Sequence, residues 1–271
     1  VNEVNQGIEF PQTSNTKTYC NYKPYLDKLE VFQTHDMFNL YDGKASLQGN
    51  LLLKPVGLTG NGIMKLDLAE VSSKFFSFNS TWFKADTANL NVFDNSNNLA
   101  FSAKNLRANI DVKDRDGMFF SNGIGSYVNF PASEYICYID QLKWEMDKEQ
   151  LTFGNNDPQS KSRSEFISIN NEQDSLSFYA KSADYSLRDF IINAKGVDSL
   201  IVADAIIFPD SGNLTVERNA KIRTLNNSKI IIDSLVRYHV FNNSSVDIYS
   251  KNNYNASGDY VYIDANNVKQ P

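Results

Sequence analysis

Short apolar runs alternate with polar clusters along most of this chain. From Ala45 onward each run has the length of a β-strand, and clusters rich in Asn, Asp, Ser and Gly separate the runs. The pattern predicts strands at Ser46–Leu53, Gly62–Leu68, Lys74–Phe78, Trp82–Ala85, Asn89–Phe93, Leu99–Ala103, Ala108–Val112, Gly117–Phe120 and Ser126–Phe130. It therefore indicates an all-β protein.

The remaining segments complete the predicted organisation. Residues 1–44 are expected to form a lead-in or cap. Residues 1–24 lack periodicity and are expected to be irregular, and Tyr25–Tyr41 is compatible with a short helix or with strands. Residues 45–153 form a β-rich first half that ends in a strand pair within 133–153. A long loop is predicted at 154–164 and further β structure at 165–271, with one continuous domain over 25–271 as the alternative.

An approximate repeat predicts how the strands are arranged. Ser182-Ala183-Asp184-Tyr185 returns twenty residues later as Val202-Ala203-Asp204-Ala205, and Lys84–Ala88 is similar. Intervals of roughly 20 to 30 residues match one coil of a solenoid. The predicted fold is a parallel β-solenoid, either a β-helix or an OstA-like form. An antiparallel β-sandwich or open barrel is the alternative.

Near-continuous apolar runs in the second half support parallel strands, which are buried on both faces. The solenoid interior is expected to hold Ile191-Ile192, Ile201-Val202, Ile206-Ile207-Phe208, Val216, Ile222, Ile230-Ile231-Ile232 and Val246–Ile248.

Composition narrows the classes of function. The chain has 271 residues, with 26 Lys and Arg against 32 Asp and Glu, for a formal charge of −6. This balance argues against nucleic-acid binding, which needs a positive surface. No apolar run is long enough for a transmembrane segment, and the chain begins at Val1 without a signal region. Two Cys and two His offer little material for metal or nucleophilic sites, and whether Cys20 and Cys137 pair is left open.

Acidic clusters are the first candidates for chemistry. Asp111, Asp114, Asp116 and Gly117 suggest a calcium loop, but Val112 and Gly123 stand where an EF-hand needs acids, so a solvated turn is favoured.

Two further groups could carry carbohydrate chemistry. Glu134, Asp140, Glu145 and Asp147 flank Trp144, as carboxylates do in glycosidases, but they also fit the outward face of alternating strands. Asp184, Arg188, Lys195 and Asp204 could serve a polysaccharide lyase or simply occupy corners.

The two histidines and Cys137 have a structural interpretation. His35 and His239 lie in apolar or aromatic settings and are interpreted as structural, and Cys137 as a buried small hydrophobe. No catalytic, cofactor-binding or metal-ligating residue is assigned, no cofactor is expected, and the balance is against an enzyme.

Two resemblances suggest a cellular setting. The chain resembles repetitive segments of large uncharacterised cell-envelope proteins of Bacteroidota-type bacteria at Tyr41–Ala45, Gly57–Gly62, Phe83–Ala88, Asp174–Tyr179, Val202–Ala205 and Tyr260–Asp264. The recurring Ala-Asp dipeptides are similar to those in the OstA-like β-solenoids of lipopolysaccharide-transport proteins. The groove of those solenoids carries acyl chains. The first resemblance implies that the chain is a piece of a longer envelope protein in the periplasm or at the outer-membrane surface.

The expected function is a non-catalytic, extracytoplasmic scaffold or interaction module. A lipid or glycolipid conduit of OstA-like type and a carbohydrate-binding or polysaccharide-cleaving β-helix are the alternatives. The partner would be a protein, lipid or glycan of the envelope. End-to-end self-association is expected through the segment Tyr254–Ile263, because an exposed terminal strand can pair with another chain.

Overall fold

The structure, a computed structural model, describes residues 8–154, 163–233 and 238–263, together with the backbone of 269–270. Strands dominate, and the described residues contain no α-helix. The described ranges also hold five 3₁₀ turns, at Pro24–Leu26, Tyr41–Gly43, Met146–Lys148, Asn171–Gln173 and Asp210–Gly212. The all-β prediction is confirmed.

The chain divides into two compact units, 1–127 with 141–149, and 128–140 with 150–271. The strands of the first half are β1 (Thr13–Ser14), β2 (Thr18–Lys23), β3 (Lys28–Gln33), β4 (Phe38–Leu40), β5 (Ala45–Lys54), β6 (Gly57–Leu66), β7 (Ala69–Phe78), β8 (Trp82–Phe93), β9 (Leu99–Asp111), β10 (Asp116–Ser121), β11 (Tyr127–Phe130), β12 (Tyr135–Tyr138) and β13 (Gln141–Glu145). The later strands are β14 (Gln150–Gly154), β15 (Ser164–Ser168), β16 (Ser177–Ala180), β17 (Ser182–Ser186), β18 (Ile191–Lys195), β19 (Leu200–Val202), β20 (Ala205–Phe208), β21 (Leu214–Val216), β22 (Leu225–Ile232), β23 (His239–Ser250), β24 (Asn253–Ile263) and β25 (Lys269–Gln270).

The first unit is an antiparallel meander. Strands β5 to β10 pair in chain order, and β13 pairs with β10. Strands β3 and β4 share the other side of β5, β2 pairs with β3, and β1 pairs with β4. The predicted irregular lead-in is therefore wrong from Thr13 onward: this segment is strand-rich, and Tyr25–Tyr41 contributes β3 and β4 rather than an α-helix.

The second unit contains two sets of antiparallel strands and a separate sheet. Strands β11, β12, β15 and β16 pair in that order, as do β14, β17, β18 and β21. Strands β19, β20, β22, β23, β24 and β25 form their own antiparallel sheet, which we call sheet C. Most of the predicted loop 154–164 lies outside the described residues.

The prediction of a parallel solenoid is wrong. The strand pairs are antiparallel and the sheets are not closed, which fits the alternative of a sandwich or open sheet. The connections explain why: Pro55-Val56 joins β5 to β6, and Asp67-Leu68 joins β6 to β7. Two-residue links close antiparallel hairpins, whereas a parallel pair needs a crossover of a dozen residues or more.

The Ala-Asp echoes that suggested coils have different local structures. Ala203-Asp204 is the hairpin turn between β19 and β20, with Ala203 at φ 51°. Ala183-Asp184 lies inside the regular strand β17, and Ala85-Asp86 lies at a register shift in β8. These dipeptides therefore do not mark equivalent positions of a structural repeat.

Each unit buries its own core. Leu40, Met64, Phe76, Phe83 and Ile110 have no exposed surface in the first unit. The second unit buries a ring cluster in which Phe130 lies 4.8 Å from Tyr185 and 5.3 Å from Phe153, measured between centroids. In the described residues, the interior of each unit is thus filled by side chains.

Candidate functional site

The predicted calcium-like segment forms a hairpin turn between β9 and β10. The carboxylate of Asp111 accepts hydrogen bonds from the backbone N–H groups of Lys113 and Asp114 at 2.8 and 2.9 Å. Arg115 has a left-handed φ of 56° and pairs with Asp147. Among the described residues, no group of three or more His, Cys, Asp or Glu side chains is arranged to hold a metal.

The other predicted acids have local partners. Glu145 accepts hydrogen bonds from Lys148 at 2.8 Å and from Lys143 at 3.2 Å, and these bonds lower the pKa of the Glu145 carboxyl. Glu134 accepts a hydrogen bond from the amide of Asn170.

The lyase-like group is only partly assembled. Lys195 pairs with Asp184 at 2.8 Å across β17 and β18, whereas Asp204 lies in a turn of sheet C. The segment between β17 and β18 carries Arg188. The structure thus brings the Asp184–Lys195 pair together on neighbouring strands.

The interpretation of the histidines as structural stays a prediction, although His239 does lie among aromatic rings, against Tyr260 and Tyr262. His35 and His239 are both exposed. Cys137 is fully buried as predicted, and burial raises the pKa of its thiol. Cys20 is exposed, and both thiols are free.

An aliphatic row crosses the outer face of sheet C. Directly opposed residues of antiparallel strands share one side of a sheet. Five β-branched residues are opposed in sequence from β19 to β24: Ile201, Ile206, Ile231, Val240 and Val261. At about 4.8 Å between strands, this aliphatic row spans about 19 Å. Ile201 is 68% exposed, Ile206, Ile231 and Val261 are half-buried, and Val240 is buried, with 6% of its surface exposed.

The core side of the same sheet is defined by the two neighbouring registers. Leu200 and Ile207 are buried and opposed, and Val202 and Ala205 are also buried and opposed. Successive residues of a strand point to opposite faces, so Ile201 and Ile206 must point away from this core. The predicted interior runs Ile201-Val202, Ile206–Phe208 and Ile230–Ile232 are therefore wrong in part, since only alternate members are buried.

An aromatic ladder continues the core side toward the edge of sheet C. The buried Ile230 is opposed to Phe241, and Phe241 to Tyr260, which is 43% exposed. The rings of Phe241 and Tyr260 lie 5.1 Å apart, and His239 stacks on Tyr260 with its Nδ1 2.8 Å from the Tyr260 hydroxyl. Tyr262 lies 5.7 Å from His239. Both faces of β23 and β24 therefore carry apolar groups.

Polar residues border the aliphatic row. On the same face, two positions along each strand, Lys229 is opposed to Phe208 and Asp259 to Asn242. Asn243 donates a hydrogen bond to the Asp259 carboxylate at 2.8 Å. Polar groups therefore lie along one side of the row, with the apolar Phe208 among them, and a polar border is typical of protein interfaces.

The first unit has two open grooves that share Lys74 and Phe75. One groove, of about 640 Å³, is lined by Ser72, Ser73, Asp86, Thr87 and Asn89 as well as by Gly62 and Ile63. The other, of about 270 Å³, contains Asn50, Asn61 and Phe32 among its lining residues. Phe75 is 51% exposed and stands beside a register shift between β6 and β7.

Sequence reasoning missed the aliphatic row because it assigned Ile201, Ile206 and Ile231 to the interior. The signal is present only in the pairing register, where isoleucines from separate segments become neighbours. No family model, curated protein or solved structure matches this chain. None of the helices in the described residues has the length and apolar character needed to span a membrane.

Proposed function

We propose that this protein is a non-catalytic interaction module of the bacterial cell envelope, located outside the cytoplasm, which binds a partner protein through the aliphatic row of sheet C. The observation that carries this proposal is the register of Ile201, Ile206, Ile231, Val240 and Val261 on the outer face. Antiparallel sheets normally present polar residues on a solvated face. Apolar surface that stays accessible, as at Ile201 and in part at Ile206, Ile231 and Val261, is typical of an interaction site.

The setting in the envelope is supported by the resemblance of Tyr41–Ala45, Gly57–Gly62 and Asp174–Tyr179 to repetitive envelope segments. A scaffold or interaction role also accords with the apolar character of both faces at β23 and β24. Covering the row removes apolar surface from water, which stabilises a complex by about 25 cal/mol for each Å² buried, before the costs of association.

Photo-cross-linking tests this proposal. A benzophenone amino acid at Ile201, presented to an envelope fraction, is expected to yield a discrete protein adduct because Ile201 is the most exposed member of the row. The same group at Ile169, which is 50% exposed in the same unit, is the matched control. Adding Ile206→Asp should abolish the Ile201 adduct, since a charge in the row cannot be buried without a partner.

Three results would contradict the proposal: no adduct at Ile201, equal adducts at Ile201 and Ile169, or adducts with lipid alone. The last outcome would favour the conduit. In the described residues, however, the interiors of both units are filled by side chains such as Phe76, Phe83 and Phe166, each with no exposed surface. A lipid chain in either interior would have to displace them.

Carbohydrate binding is a second candidate, favoured by the grooves at Phe75. Their lining combines one exposed ring with hydroxyl and amide groups, including Ser72, Thr87 and Asn89. Ligand sites commonly pair an apolar surface with a few polar groups that fix orientation. The rings of Phe75 and Phe32 could stack on sugar faces while the amides bond to hydroxyl groups.

Calorimetric titration with purified envelope polysaccharide tests this second candidate. We expect Phe75→Ala to weaken binding at least about tenfold, equivalent to 1.4 kcal/mol, because the ring supplies the apolar contact. Tyr25→Ala is the matched control, since Tyr25 is fully exposed in the same unit and does not line the grooves. Equal losses in both variants, or no binding by the unaltered protein, would reject it.

A further inference from the structure

We propose that two copies of this protein associate by antiparallel pairing of β24 with β24. In the described part of the chain, β23 covers one side of β24, and the short strand β25 covers only Tyr262 and Ile263 on the other. Among the described residues, no strand pairs with the other side of positions 253–261, which we call the open edge. An unpaired strand edge presents N–H and C=O groups that can bond to another strand.

The two edges of sheet C differ in a way that favours β24. The opposite edge is β19, which is only three residues long. Short edge strands, Lys and Pro are devices that block pairing between chains. Strand β24 has eleven residues, contains neither Lys nor Pro, and carries Asp259 as its one charged residue. It is therefore the less protected edge.

The backbone of β24 is suited to pairing because the irregularities of this hairpin lie on β23. The register steps by three residues on β23, from Asn242 to Ser245, against two on β24, from Asp259 to Ser257. Near the turn, β23 advances by two residues, from Ile248 to Ser250, where β24 advances by one, from Tyr254 to Asn253. Both extra residues are thus on the inner strand. Because β24 has no extra residue at these two shifts, its backbone N–H and C=O groups follow one another regularly along the strand.

The open segment is self-complementary about its centre. If positions 253–261 pair with themselves, the symmetry axis passes Ser257, and Asn255 is opposed to Asp259 of the second copy. Tyr254 is then opposed to Tyr260, and Ala256 to Gly258. No like charges meet, an amide faces a carboxylate, and an aromatic pair forms at each end; such cross-strand pairs are favourable. The contact is isologous, so it closes as a dimer.

Light scattering coupled to gel filtration, over a range of concentrations, tests this proposal. We expect the unaltered protein to form a dimer as its concentration rises, and Ser257→Lys to raise the dissociation constant at least about tenfold, because the two lysines would be opposed at the axis. Ser245→Lys is the matched control, because Ser245 is exposed and directly opposed to Ser257 on β23. It should dimerise as the unaltered protein does.

Charge exchange separates loss of pairing from loss of folding. Ser257→Lys and Ser257→Glu should each be monomeric alone and form a heterodimer when mixed, since the opposed charges then attract. In a Cys20→Ser background, Ser257→Cys should form a disulfide between copies, because directly opposed Cα atoms lie about 4.5–5.5 Å apart, within disulfide range.

The proposal fails if the unaltered protein stays monomeric at its highest soluble concentration. It also fails if Ser257→Lys and Ser245→Lys dimerise equally, or if the mixed Lys and Glu variants remain monomeric. These measurements do not involve the aliphatic row or an envelope partner. The proposed interaction function can therefore fail while the dimer stands, and the reverse is equally possible.

Discussion

Phe130→Ala is expected to lower the free energy of unfolding by about 3–5 kcal/mol, the range for removing a fully buried phenylalanine ring. The Phe130 ring has no exposed surface and contacts three other rings, those of Tyr185, Phe153 and Phe166. Phe166 in turn stacks on Phe178 at 5.1 Å and an interplanar angle of 6°. The cavity left by the substitution cannot collapse easily, because strands on several sides fix these rings.

Urea denaturation followed by circular dichroism measures this effect. Phe75→Ala removes the same side chain from a position that is 51% exposed and is expected to change the free energy of unfolding by only about 0.5 kcal/mol. A loss at Phe130 no larger than that at Phe75 would show that the ring cluster of the second unit is not a tightly packed core.

Gly62→Ala is expected to destabilise the protein by about 4 kcal/mol or more, at the extreme of single substitutions. Gly62 and Gly49 are directly opposed on β6 and β5. A Cβ at Gly62 would lie 2.1 Å from the backbone oxygen of Gln48, and φ at Gly62 is +125°. The cost has two sources, a collision with backbone that cannot turn aside and a conformation that alanine rarely adopts.

Two other glycines separate these sources. Gly123 has φ +88° and no atom within 4 Å of the position that a Cβ would take, so Gly123→Ala should show only the conformational cost, about 1–2 kcal/mol. Gly49 has no positive φ, but a Cβ added there would lie 1.9 Å from the backbone oxygen of Asn61. Gly49→Ala should therefore show the cost of the collision. Thermal unfolding that ranks Gly123→Ala as severe as Gly62→Ala would contradict the close approach of β5 and β6.

Several predicted strand boundaries were wrong for one physical reason. Trp82–Ala85 and Asn89–Phe93 form one strand, β8, and Leu99–Ala103 and Ala108–Val112 form β9. The polar residues between them are typical of turns, but they lie at register shifts inside long strands, where Asn105 has φ 56°. A bulge and a turn use the same residue types, because both need polar side chains and left-handed backbone.

The aliphatic row shows a similar limit. Runs such as Ile230-Ile231-Ile232 indicate a strand that is apolar on both faces, and sequence reasoning assigned both faces to an interior. The structure buries Ile230 in the core and places Ile231 on the outer face beside Ile206. Which face is covered depends on the neighbouring elements and not on the run itself.

Local sequence was sufficient for the all-β class, for Cys137 as a buried side chain and for most strand positions, because alternation, β-branching and turn residues act over a few neighbours. Tertiary structure alone decided that strands pair antiparallel, that Gly49 faces Gly62 and that Ile201 joins Val261 in one row. These features depend on pairing register, and register arises from contacts between residues far apart in the chain.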